Sequence, residues 1–87
     1  DAPLEHLTTV PGTSVELVRV LIPRHSPMAD RPLRELGPDS GIVVAAAEDE
    51  SDRGHVPGPD ATLVAGRHAL VACESGRDQD LRRIFGL

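Results

Sequence analysis

At 87 residues with 39% apolar side chains, the chain makes one small domain, near the size where burial barely offsets conformational entropy. A net charge of −5 and a single aromatic, Phe85, argue against a nucleic-acid reader, which needs clustered Lys and Arg and a base-stacking platform. No apolar run approaches the ~20 residues that span a bilayer, and the lone Cys73 excludes an internal disulfide framework and fits a reducing compartment, so the cytoplasm is expected.

No signal peptide is visible, and the absence of an initial Met reads as a piece of a longer protein. Val, Leu, Ile and Ala dominate the apolar set and bury little area per residue. A monomer of this composition is marginal, so a partner surface is expected, supplied by a second copy or by the rest of the protein.

Residues 1–13 hold two prolines, a glycine and three threonines without a sustained period, which predicts a linker or loosely attached arm before a domain over 14–87. Val15 to Ile22 is apolar at nearly every position, interrupted by Glu16 and Arg19, and predicts a strand covered on both faces and ended by Pro23. Asp30 or Arg31 is placed to cap a short helix from about Pro32 to Leu36, stopped by Gly37-Pro38. Ile42 to Ala47 is a second continuous apolar run, again a buried strand.

A charged hairpin turn follows at Glu48, Asp49, Glu50 and Asp52, then a short edge strand at His55-Val56-Pro57. Thr62 to Ala65 is short and extended, and Gly66 turns the chain into a last strand, His68 to Glu74. Ser75 with Asp78 three residues on resembles a capping box; Leu81, Ile84 and Phe85 share one helical face, with Arg82 and Arg83 near the C-terminus. The order predicts an α+β fold: a small, largely antiparallel β-sheet with a short helix after the first strand and a C-terminal helix, packed as a two-layer sandwich.

Chemistry-bearing clusters are sparse. His6, His25, His55 and His68 lack metal-ligand spacing, and Cys73 has no nearby soft partner, so no metal site is assigned. Residues 38–61 carry the whole charge imbalance, a net −5. That acidic hairpin has two readings: oxygen ligands for a hard divalent cation, or a solvated tip that keeps an edge soluble. The calcium-loop pattern of glycine and ligands is absent. The serines sit in turns with no nucleophile elbow, Cys73 reads as an inert core thiol, and no phosphate loop is present, so an enzyme is not expected.

Several short segments together resemble one family. They are Val20-Leu21-Ile22-Pro23, His25-Ser26-Pro27-Met28, Leu33-Arg34-Glu35-Leu36-Gly37, Gly41-Ile42-Val43-Val44-Ala45, Val56-Pro57, Asp60, Leu63-Val64-Ala65-Gly66 and Ala69-Leu70-Val71-Ala72. Over about 70 residues, in order and spacing, they look like the TrkA-C domain, the C-terminal regulatory (RCK) domain of potassium-conductance regulators.

The resemblance implies a cytoplasmic homodimer regulating a membrane-embedded potassium channel, potassium-uptake system or cation/proton antiporter, with no nucleic acid and no membrane insertion of its own. It also implies a small-ligand site at the dimer interface, cyclic di-AMP being the best-known occupant. The corresponding positions are Ile42, Val43 and Val44 on the second strand and Arg53, His55, Val56 and Pro57 beyond the turn. Apolar strand residues would pack on adenine faces and Arg53 would pair with a phosphate; otherwise Ile42 to Val44 are core and Arg53 a solvated charge.

Three departures stand out. Asp30-Arg31 occupies the place of a common glycine and lysine, Gly66-Arg67 replaces a Gly-Asp turn, and the acidic hairpin would repel an anionic dinucleotide. No cofactor is therefore assigned, neither cyclic di-AMP nor a divalent cation. Two other readings remain: a constitutive assembly domain without ligand, and an accessory domain of a transcriptional regulator.

Overall fold

The computed structural model describes residues 2–87, the Pro38 side chain excepted. Five strands form one antiparallel sheet in the order β1-β2-β5-β3-β4: β1 Leu4–Thr9, β2 Val15–Leu21, β3 Ile42–Glu48, β4 Gly54–His55 and β5 His68–Glu74. One α-helix, α1 (Asp78–Phe85), closes the chain. The expected α+β architecture is therefore the observed one.

Register explains the core. Val18 lies opposite Val71, which lies opposite Val44; Val20 and Ala47 both lie opposite Ala69, and Ile42 lies opposite Cys73. Directly opposed residues share a face, so these small side chains form one continuous inner layer, all buried. Helix α1 covers that layer with Leu81 and Phe85, one turn apart and fully buried. Met28 and Leu63 from the long connections complete it.

The outer face is different. Leu17, Leu21, Leu70 and Ala72 are only partly buried, and Val43 is exposed. The expectation that the first two apolar strands are covered on both faces is thus corrected. The helix and the long connections place Leu81, Phe85, Met28 and Leu63 on the inner layer, and a continuous apolar run cannot by its periodicity reveal which face is bare. A bulge between Val44 and Ala46 resets the alternation of β3, which is why Val44 and Ala47 are both buried.

Three local differences have physical causes. Residues 4–9, expected within a linker, form edge strand β1, paired along β2 with a shift between His6 and Thr8. Only Leu4 packs on the core, so hydropathy carried no signal there. The helix expected over Pro32 to Leu36 is a 3₁₀ turn at Leu33–Leu36 without a side-chain cap; four residues ended by Gly37 are too few for an α-helix to gain from its costly first turn.

The third difference is the capping box, which does not form. Helix α1 begins only at Asp78, and the Ser75 hydroxyl donates instead to the Ser14 carbonyl at 2.9 Å. Asp80 accepts from Arg77 Nη1 at 2.9 Å, an acid in the first turn where the helix dipole favours it.

Candidate functional site

The connection from β2 to β3 builds a concavity beside β3. Pro23 ends β2, and the Ser26 hydroxyl, buried, accepts the Met28 N–H at 3.2 Å. Backbone bonds then seat the 3₁₀ turn on the segment before β5: Leu33 N–H donates to the Ala61 carbonyl at 2.9 Å and Arg34 N–H to that of Pro59 at 2.8 Å. The result is an open groove of about 360 Å³ between Leu33 and Leu36 on one side, Ile42 to Val44 beneath, and Pro57 to Pro59 opposite. Strand β4 pairs only with Ala47 and Glu48, so it leaves the Ile42–Val44 stretch of β3 bordering this groove uncovered.

Of the residues named from sequence, Ile42, Val43, Val44 and Pro57 come together here. Ile42 and Val44 are buried and belong to the core as well as the wall, whereas Val43 is 63% exposed. Arg53, His55 and Val56 are not among the lining residues. His55 is an exposed residue of β4, Arg53 lies in the hairpin turn, and Val56 is 82% exposed just beyond it.

The cation at the groove is Arg34, which sequence reading missed. Its Nη1 pairs with Asp60 Oδ1 across 26 residues of chain, with both side chains well exposed. Only the fold brings them together, although both residues lie within the family-like segments.

The acidic hairpin is organised from within. The Asp49 carboxylate accepts the Ser51 N–H at 2.8 Å and the Arg53 N–H at 3.0 Å, which hold it below the usual carboxylate range, the Arg53 bond most. Arg67 reaches Asp52 Oδ1 at 2.5 Å and the Glu50 carbonyl at 3.1 Å. Glu48 faces the other way and accepts the His68 backbone N–H at 2.7 Å and contacts the ring at 2.9 Å, which depress its pKa in that order. Among the described residues no group of His, Cys, Asp and Glu could hold a metal ion. Burial pushes the Cys73 thiol up, as an inert core cysteine requires.

A smaller depression of about 170 Å³ lies on the outer face over Ala46 and Leu70, rimmed by Leu7, Arg19, Glu48 and His68. Among the described residues no helix is long and apolar enough to cross a membrane.

Compared with known families, residues 17–86 match the TrkA-C domain. The chain belongs to the TrkA-C domain family. That makes it a regulatory domain of potassium-transport and related systems, in a family that is regulatory rather than catalytic. No curated protein matches the chain. Within this TrkA-C domain the match takes in most of β2 and the whole of β3, β4, β5 and α1, whereas β1 lies before it.

Proposed function

We propose that this TrkA-C domain works in the cytoplasm as a homodimerising sensor for a membrane-embedded cation channel, uptake system or antiporter. The bare groove along β3 serves as the shared interface and ligand site. The observation that carries this reading is the pairing of that groove with exposed Val43 and Val56, two branched apolar side chains beside Pro57. Exposed apolar surface next to a concavity is where a second copy or a flat ligand gains most from leaving water. Transport itself belongs to the partner, and the domain shifts the partner's conformational populations by binding its ligand better in one arrangement.

Ligand chemistry follows from the lining. Ile42, Val43 and Pro57 suit a flat, apolar-faced group such as a nucleobase, while Arg34 is already engaged by Asp60 and the hairpin nearby is acidic. A ligand of low negative charge therefore fits better than a dianionic cyclic dinucleotide.

The test is titration of the isotopically labelled domain with cyclic di-AMP, mononucleotides, nucleosides and divalent cations. Amide shifts concentrated at Leu33 to Gly37 and Ile42 to Val44 for uncharged nucleosides support the reading. A dimer silent to the whole panel leaves a constitutive assembly domain instead, and shifts centred on the acidic hairpin with divalent cations overturn the ligand class.

A further inference from the structure

Strand β1 is fixed by its ends and edges rather than by a core. Every residue of it except Leu4 is exposed, so apolar burial contributes little to its docking. Its backbone pairs with β2 from Leu4 opposite Val20 to Thr9 opposite Glu16. One side chain ties it to both β2 and α1: His6 Nε2 bonds Asp78 Oδ2 of α1 at 3.1 Å, while Nδ1 stands 2.8 Å from Glu16 Oε2 of β2. The ring thus bridges a strand and the first residue of the helix, with a carboxylate on each nitrogen.

We propose that His6 is a proton-operated clasp, and that β1 is a strap whose docking on β2 and α1 is linked to protonation of this one ring. The chemistry is one of donor count. A doubly protonated imidazole presents two N–H groups, one for each carboxylate; a neutral ring has one, and turns a lone pair toward the other carboxylate. At 2.8 and 3.1 Å that exchange converts an attraction into a repulsion.

The groups acting on the ring are Glu16 from β2 and Asp78 from α1, and both favour its charged form. The Asp78 hydrogen bond contributes most to a His6 pKa held above the usual histidine value, against a lesser opposing effect of desolvation. On the opposite face of β1, Glu5 lies 3.7 Å from Arg19, a contact that His6 does not touch.

The sign is fixed by linkage. A raised docked pKa means that the clasp acts fully below the undocked value, about 6.5, and fades as pH rises through the docked value. Each unit between the two values changes the docking equilibrium of β1 about tenfold. Release bares the outer edge of β2 over Val15–Leu21, an unpaired edge open to another strand. His6 and Glu16 lie before the family-matched segment and Asp78 within it, and none of the three lines the groove.

Amide hydrogen exchange tests this, with protection factors corrected for the intrinsic rate and measured from pH 6 to 8.5 on this chain. β1 ladder amides are expected to lose up to about tenfold protection per unit of docked-minus-undocked pKa, while Val18 and Val71 in the β2–β5 ladder hold theirs. In His6→Gln the β1 protection becomes independent of pH, and in Asp78→Asn the His6 ring titrates lower by NMR. Three results would each overturn the clasp: flat β1 protection in the wild type, an unchanged pH dependence in His6→Gln, or a His6 ring titrating at or below about 6.5.

Discussion

Phe85 is the only aromatic residue and is fully buried, the largest of the side chains that helix α1 lays on the inner sheet face. The close-packed cluster it belongs to is otherwise made of smaller side chains, mainly Val and Ala with Ile22, Met28, Ile42, Leu63 and Leu81, which can fill only part of the space of its ring. Truncation in Phe85→Ala should therefore leave most of its volume empty and cost about 3–5 kcal/mol, whereas Phe85→Leu should cost roughly half of that. A domain of this size is stable by roughly 4–13 kcal/mol. With a urea slope of about 1 kcal/mol/M, the alanine variant should shift the midpoint down by about 3–5 M or fail to fold at all. Far-UV circular dichroism at fixed protein concentration reads this out, since any dimer would add stability by mass action. A loss under about 1 kcal/mol at unchanged slope would mean that α1 is not the lid of this core.

Gly86 ends α1 in the left-handed region at φ 73°, and a Cβ there would stand 2.8 Å from Pro27 Cδ, so Gly86→Ala should cost about 1–2 kcal/mol or more. Gly12→Ala, at φ 77° with nothing within 4 Å, should cost only the backbone part; equal urea midpoints for the two would deny the Pro27 contact. Glu48 and Asp49 both have depressed pKa values, so their contribution is whole above the ordinary carboxylate range near 4 and lost as pH falls below it. The wild-type urea midpoint should accordingly drop between about pH 4.5 and 2, less steeply in Asp49→Asn, and an identical acid slope in the variant refutes the assignment. Cys73 should react slowly with a thiol reagent in the native state and quickly in urea; rapid native labelling would contradict its burial.

The parts of the fold legible in the sequence are those whose side chains make the core. β2, β3 and β5 show themselves as runs of Val, Ile, Leu and Ala, and α1 as Leu81 and Phe85 at helical spacing. β1 was invisible because a strand held mainly by backbone bonds and the polar contacts of His6 and Glu5 leaves no periodic apolar trace. The bare outer face was hidden for a related reason: Leu17 and Leu70 read the same whether or not anything covers them. At the groove, Ile42 to Val44 and Pro57 were reachable from local resemblance, while Arg34 needed the contact with Asp60 that only the folded chain makes.

If two copies meet at the bare β3 groove, a charge placed there keeps them apart. Sedimentation equilibrium of the wild type and of Val43→Glu at tens to hundreds of micromolar tests it directly. Val43 is exposed, so the charge does not disturb the core, yet it would desolvate a carboxylate in the interface. The prediction is a wild-type dimer and a folded, monomeric variant. A monomeric wild type, or a variant that dimerises as tightly as the wild type, would contradict it.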